Sequence, residues 1–528
     1  MAEQLAADWC ADIAAALRAG GCRAVVGCPG RRNAPLLIAL AEAFVERCHS
    51  HWDERGAAFY ALGMARAWEA PVAVCTTSGT AVANLLPAVC EAAACRAPLV
   101  LLTADRPPAV HGWAAPQTMP QTGIFGAFAE GIALPEPTAD RATRQRVQQR
   151  IARAVADAAR PLHINVPLGE AAAPPAAADA ALPAVAALAT IRRGEPPPRG
   201  PFARGVIVAG PRRAVPVDWA AQLAAATGYP VLADALSGLR HPAVPGLVAC
   251  PEARCLRPPA DPDVIVRLGP PPLARSSFEW LARQDCPQLV IGDDRDDWLA
   301  CATHRLGEPT PELLTALCER LGRAPPEWRA QWQTAPVRVS GWHPTAVAAL
   351  AWQATAHDLV WVANSMAVRD LELVATVSTR RILCHRGLSG IDGTLAAFCG
   401  ASRAHDGRGL CLLGDLAALH DLNSLALAAE LRATIVVIND GGGGIFDRFP
   451  LAQSRHHRRM VRTEHRWQFA GAAAQFGLAY AACRRPEELL AALAADSAGS
   501  RLIECDVRGS PAIAARQAAL ASALQDGA

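Results

Sequence analysis

The chain has 528 residues, 52% hydrophobic and 19% charged, with 51 basic and 49 acidic side chains and a net charge of +2. One hydrophobic core does not serve that length, so roughly two to four domains are expected, and the balance of charge argues against nucleic-acid binding driven by bulk charge. Every basic residue is arginine, which excludes a Schiff-base lysine, hence ordinary pyridoxal-phosphate chemistry, and also a P-loop lysine.

The 17 cysteines include no CxxC pair. They read as reduced, mostly buried thiols of a cytoplasmic protein, not as a disulfide framework or zinc ribbon. The first stretch, MAEQLAADWCADIAAAL, carries acids early and reads as an amphipathic helix, not a signal peptide. No uncharged, proline-free apolar run is long enough to span a bilayer.

Residues 1–170 alternate short apolar runs with helical patterns. CRAVVGC (22–28), PVAVCTT (71–77) and PLVLLTA (98–104) predict buried strands, with helices between them in APLLIALAEAF (34–44) and GTAVANLLPAVCEAA (79–93). That rhythm predicts a parallel sheet wrapped by helices. Residues 171–201, rich in alanine and proline, read as a linker. A second block, 202–340, has strand candidates GVIVAG, VIVRLG and QLVIGDD and fades into another expected linker, GRAPPEWRAQWQTAPVRVSGWHP (322–344). The third, 341–528, has DLVWVANS, RILCHRG, GLCLLGD and TIVVIND. The expectation is an α/β protein of three domains, each a mostly parallel sheet flanked by helices.

One strand of the third block should end at Gly414-Asp415 and another at Asn439-Asp440, just before the glycines at 441–444. A glycine run can be a plain turn, or it can let a phosphate or metal approach the backbone. In an open parallel sheet, ligands bind at the carboxyl ends of strands. The two acids are 25 residues apart (440 − 415), one strand–helix–strand unit, so they can occupy neighbouring strand ends. Two oxygen side chains and a glycine carbonyl suit a hard cation, with a diphosphate completing its shell. The pattern is similar to the diphosphate–metal motif of thiamine-diphosphate enzymes. Such enzymes also need a glutamate at the cofactor's aminopyrimidine. Glu54, in HSHWDERGAAFYALGMARA, stands where a helix should start after a strand-like stretch.

SGTAVANLLPAVCEAAACRAPLVLLTADRPP, ANSMAVRDLE, CHRGLSGIDGTLA and GDLAALHDLNSLAL together resemble the 2-succinyl-5-enolpyruvyl-6-hydroxy-3-cyclohexene-1-carboxylate (SEPHCHC) synthase family. The resemblance spans nearly the whole chain. It implies pyrimidine-binding (PYR), central and diphosphate-binding (PP) domains. It also implies a homodimer or dimer of dimers, with each site between the first domain of one subunit and the third of another. It assigns Asp415, Asp440 and the Gly442 carbonyl to Mg2+ or Mn2+, and Gly414, Leu416 and Gly443 to the thiamine diphosphate cradle. Ile391 would support the bent cofactor, with Ile445 and Phe446 as walls. Arg32, Arg106, Gln117, Arg275, Ser365, Arg369 and Arg386 match substrate contacts. The implied reaction is decarboxylation of 2-oxoglutarate, started by Glu54, and addition of the succinyl-semialdehyde carbanion to isochorismate, giving SEPHCHC and CO2 in menaquinone biosynthesis. Both substrates are dicarboxylates, for which arginine forks are natural receptors. The implied partners are small molecules and self, with no nucleic acid and no integral membrane segment. The chain departs from the family pattern at Arg31, Asn33, Pro116 and His385, and has Asp440 where asparagine is usual. A related carboligase with a different acceptor and a non-catalytic homologue stay open as alternatives.

Overall fold

The computed structural model describes residues 2–112, 115–169, 197–200, 202–211, 214–292 and 297–525. The expected linker at 171–201 lies outside them, apart from 197–200. Three sheets organise the chain, and among the described residues every strand pairing is parallel.

Across the first sheet the strands run Cys48–Ser50, Val25–Gly27, Val72–Thr76, Leu99–Asp105, Leu162–Pro167, Glu130–Ala133. Val25–Gly27, Val72–Thr76 and Leu99–Asp105 are buried throughout. Helices cover both faces, which is why these strands read as unbroken apolar runs. The helix expected over 79–93 is divided into Thr80–Ala83 and Leu86–Cys95. Pro87 explains the break, since it lacks the N–H that a helix interior needs and fits only a first turn.

The second sheet is ordered His304–Gly307, Gln288–Ile291, Val264–Leu268, Gly205–Ala209, Val231–Ala233. The segment expected as a second linker is partly structured. It holds the helix Pro326–Trp332, whose Trp328 and Trp332 are buried in the second core. Trp328 Nε1 donates to Gly205 O at 2.9 Å. Pro325 and Pro326 start this helix, where a missing N–H costs nothing.

The third sheet is ordered Arg381–Leu383, Leu359–Val362, Arg408–Gly414, Arg432–Asn439, Arg501–Asp506, Ala479–Cys483. Arg408–Gly414 and Arg432–Asn439 pair in register from Arg408↔Arg432 to Gly414↔Ile438. Their carboxyl ends are therefore level, and Asp415 emerges beside Asn439 and Asp440.

The first and third sheets share one core. Helix Glu54–Trp68 crosses helix Thr394–Arg403 so closely that a Cβ on Gly63 would stand 1.9 Å from Ala397 O, and one on Gly400 2.0 Å from Tyr60 O. The buried Glu91 carboxylate accepts from Gly387 N (2.9 Å) and Leu388 N (2.7 Å). The second domain is tied to the third by Arg516 on Glu252 and Arg240 on Glu372. Among the described residues no helix is long and apolar enough to cross a membrane.

Candidate active site

Asp415 opens the short helix Asp415–His420 and is buried. Its Oδ2 accepts from Gly441 N and Gly442 N, both at 2.9 Å, and its Oδ1 from Leu416 N at 2.7 Å. His465 Nε2 stands 3.1 Å from the same Oδ2. Burial pushes the Asp415 carboxyl up, against the pull of His465 and the backbone N–H groups. Burial and then the charge of Asp415 push the neighbouring Asp440 up to about 7. Asp440 Oδ1 is buried with no hydrogen-bond partner.

The glycines give this pair its shape. Gly441 (φ 78°) and Gly442 (φ 139°) adopt angles that other residues avoid. A Cβ on Gly444 would stand 2.1 Å from Asp440 Oδ2. Two buried acids, one with an orphaned oxygen, beside bare backbone are a site short of positive charge. Among the described residues no three His, Cys, Asp or Glu side chains gather as a metal site. The two carboxylates and a glycine carbonyl can nevertheless supply the oxygen donors a hard cation takes. The residues present thus fit a divalent cation carrying a diphosphate. Phe446 (39% exposed) leaves apolar surface beside Gly443, with Ile445 half-buried next to it in the chain, and Ile391 is likewise part-exposed (38%), in the loop before helix Thr394–Arg403.

A second wall, missed by sequence reasoning, comes from the segment after the glycines. Gly443 N donates to Arg462 O at 2.7 Å, and His465 N to Gly441 O at 3.0 Å. Arg462 Nη2 donates to Asp440 O at 2.9 Å while its Nη1 pairs with Asp447. The His465 ring stacks on Trp467 at 5.0 Å. Only the density of arginine and histidine in RHHRRMVRTEHR (455–466) hinted at a role there.

On the same rim, Ser365 (φ 66°) precedes helix Met366–Val374 and its carbonyl accepts from Arg369 Nη1 at 2.5 Å. Arg386 Nη1 donates to Asn364 Oδ1 at 3.1 Å, and its Nε is buried without a partner. Burial, then the charges of Arg386, Arg448 and Arg516, lower the Arg369 pKa. His385 lies between the rings of Phe59 (5.3 Å) and Trp361 (4.9 Å). Burial, with the charge of Arg66, pushes its pKa well below the usual histidine range, and its Nε2 is buried without a hydrogen-bond partner among the described residues.

The carboxyl rim of the first sheet holds the other half of the candidates. Asp53, not Glu54, caps helix Glu54–Trp68, accepting from Arg55 N and Gly56 N. The half-buried Glu54 carboxylate makes no hydrogen bond or ion pair among the described residues. It lies close enough to Cys28 to add to the upward push that burial gives that thiol. Arg32 is buried and donates to Leu168 O. Arg106 follows strand Leu99–Asp105 and has a buried, unpartnered Nε. Gln117 (φ 60°) exchanges bonds with Ser78, Nε2 to Ser78 O at 2.9 Å and Ser78 Oγ to Gln117 O at 3.0 Å. Arg275 stands apart, 80% exposed and paired with Glu279 at 2.6 Å. Among the described residues no bond ties it to the other candidates.

Residues 9–130 match the thiamine pyrophosphate enzyme N-terminal TPP binding domain, and residues 365–505 match its C-terminal TPP binding domain. The SEPHCHC synthase of Halorhodospira halophila is 37% identical over 530 residues, 93% of each chain. That of Rubrobacter xylanophilus is 38% identical over 522 residues, 90% of this chain and 91% of the other. In three dimensions the benzoylformate decarboxylase of Polynucleobacter necessarius superposes with a TM-score of 0.72 at 14% identity, covering 95% of this chain and 98% of that one, which is a likeness of fold. Identity at this level along nearly the full length, over a fold with an acid pair at level strand ends, means that the chain belongs to the SEPHCHC synthase family of thiamine-diphosphate enzymes.

Proposed function

We propose that this protein decarboxylates 2-oxoglutarate and adds the resulting four-carbon unit to isochorismate, releasing CO2 and forming SEPHCHC for menaquinone biosynthesis. The observation that carries the reading is the third-sheet rim, which holds both a buried acid pair with an orphaned oxygen and arginines that form no ion pair with a carboxylate among the described residues.

When bound, thiamine diphosphate supplies the electron sink that lets CO2 leave a 2-oxo acid. Asp415, Asp440 and the Gly442 carbonyl hold Mg2+ or Mn2+, and Gly414, Leu416 and Gly443 bring their backbone to the diphosphate. Glu54 holds and passes a proton at the aminopyrimidine, a role open to it because Asp53 does the capping. Ile391, Ile445 and Phe446 exclude water from the reacting carbon. Ser365, Arg369 and Arg386 on one rim, and Arg32, Arg106 and Gln117 on the other, bind substrate carboxylates. Arg275 joins them from the central domain, residues 202–340, between the PYR domain (1–170) and the PP domain (341–528).

A homodimer places the two rims of different subunits face to face. Supporting this, exposed apolar side chains flank both half-sites: Trp52 (63%) near Glu54, and Leu388 (58%), Phe449 (47%) and Met460 (64%) around the third rim. Seventeen free thiols suit a reducing cytoplasm.

A second reading, a carboligase with another acceptor, draws on exposed Arg31 beside Arg32 and on Pro116 beside Gln117. Purified protein with thiamine diphosphate, Mg2+, 2-oxoglutarate and isochorismate decides between them by product mass. SEPHCHC is expected. CO2 release without that product selects the second reading, and no CO2 release refutes both.

A further inference from the structure

We infer that Arg448 is a specificity-determining residue that binds the terminal carboxylate of the 2-oxo acid donor, beside Arg369. The inference rests on the carboligase reading and assigns a residue which that reading leaves out.

Arg448 ends the tight turn Gly444–Arg448, two residues beyond Phe446, so its position is fixed by the same backbone that forms the cofactor wall. Its Nη1 lies 3.3 Å from Met366 Sδ. That contact sets the guanidinium on a neutral thioether next to Ser365, at the mouth of the arginine rim. The side chain is exposed and makes no ion pair among the described residues. The nearest acid in sequence, Asp447, is already engaged by Arg462 and faces His457 at 3.7 Å. The other acids near the rim are engaged too, Glu252 by Arg516 at 2.7 Å and Asp370 by Arg516 at 3.4 Å.

An isolated exposed arginine is usually a solvated charge. Arg448 differs because it shares a field with other cations. Burial lowers the Arg369 pKa first, and Arg386 and Arg448 add to the effect. Glu252 acts on Arg369, Arg386 on Asp234 and Arg448 on Asp370, but among the described residues none of the three guanidinium groups forms an ion pair with a carboxylate, so an entering anion can still pair with them. The donor's anion is the better match. On the proposed function the donor would react beside a cofactor whose diphosphate is held through a cation on Asp415 and Asp440; Arg448 lies in the loop that follows Asp440, and Arg369 in the helix after the neighbouring strand Leu359–Val362. A 2-oxo acid pinned there points its far end along this rim, and a terminal carboxylate meets paired forks.

The test is steady-state kinetics of Arg448→Met and Arg448→Lys with 2-oxoglutarate. The same variants are assayed with 2-oxopentanoate, whose equal carbon chain ends in a methyl group, as substrate or competitive inhibitor. Arg448→Met should raise KM for 2-oxoglutarate about 10-fold or more, the loss expected for one charge-assisted bond. It should leave KM for isochorismate, the affinity for thiamine diphosphate and the constant for 2-oxopentanoate within about two-fold, since none of these uses that bond. Arg448→Lys should recover part of the loss. An unchanged KM for 2-oxoglutarate overturns the assignment. So does an equal loss for 2-oxopentanoate or for the cofactor, because either marks a structural role. If wild-type protein does not consume 2-oxoglutarate at all, the carboligase reading has failed first, and the assignment with it.

Discussion

Replacing Gly444 by alanine tests why the chain carries a glycine run at this strand end. A Cβ there would stand 2.1 Å from Asp440 Oδ2 and 3.0 Å from Asp440 Cγ. Contacts below 3.0 Å are essentially never made by real Cβ atoms, so the carboxylate oxygen must retreat by at least 0.9 Å (3.0 − 2.1). Metal–ligand distances hold to about 0.2 Å, so the displaced oxygen can no longer serve the cation. The backbone has no comparable objection, because Gly444 is not among the glycines with left-handed φ. Alanine also restricts the unfolded chain. Stability in EDTA should therefore stay within about 1 kcal/mol of wild type. The affinity for Mg2+ and thiamine diphosphate should fall about 10–100-fold, the range seen when groups supporting a metal ligand are lost. Titration calorimetry measures the affinity, and urea unfolding in EDTA measures the fold. Trp467, 63% exposed with its ring stacked on His465, offers a fluorescence signal for the same titration. An affinity within about two-fold of wild type would show that Asp440 Oδ2 is not committed to a cation, and the metal-site reading of the glycines would have to be abandoned.

Glu54→Gln should keep thiamine diphosphate bound and the helix cap intact, since Asp53 caps, while turnover drops about 10²–10⁴-fold; activity within a few-fold of wild type removes Glu54 from the mechanism. Gly63→Ala brings a Cβ to 1.9 Å from Ala397 O, a backbone atom that cannot step aside. The overpacking cost of about 1–3 kcal/mol should exceed the roughly 1 kcal/mol gained in helix propensity, and a urea midpoint equal to or above wild type would contradict it. Burial lowers the His163 pKa to about 4 from 6.5. The unfolded chain therefore takes up its proton first, and the stability held above pH 6.5 drains away as pH falls toward 4, by about 3 kcal/mol from this residue. Replacing His163 with asparagine should flatten the fall between pH 6.5 and 5 in urea unfolding, and an unaltered slope would mean that His163 already titrates as in the unfolded chain.

The central strands were legible because parallel sheets bury both faces and leave unbroken apolar runs, as in LVLLTAD and RATIVVIN. Edge strands lack that signal. Cys48–Ser50, the first sheet's edge, is only partly buried, and Ala479–Cys483 at the edge of the third mixes buried and exposed positions. Proline misled in both directions. Pro87 divides one expected helix in two and starts the second part, whereas Pro325 and Pro326 start one inside a presumed linker. Both differences follow from one property of the ring, which is excluded from a helix interior and accepted in the first turn.

The site divides along similar lines. Ser365 and Arg106 came only from the family resemblance, whereas Asp415 and Asp440 were singled out from the sequence because they follow strands directly, and strand ends are where an α/β sheet meets ligands. Residues that act across the chain were not. Arg462 reaches Asp440 O from 22 residues away, and Glu91 holds the loop after Arg386 from 296 residues away. Neither spacing has a local period to betray it. The lysine-free composition hides such residues further, because a chain with 51 arginines gives the reader no cheap way to separate a ligand-binding guanidinium from a structural one. What separates them is pairing. Arg516 spends its fork on Glu252 and Asp370, and Arg240 spends its own on Glu372 and the carbonyls of Ala233 and Ala375. Arg369, Arg386 and Arg448 form no ion pair with a carboxylate among the described residues, although Glu252, Asp234 and Asp370 feel their charge. On the proposed function, arginines clustered at a strand-end rim without an ion-paired carboxylate are the ones expected to receive the substrate's carboxylates, and the kinetics of Arg448→Met test that expectation.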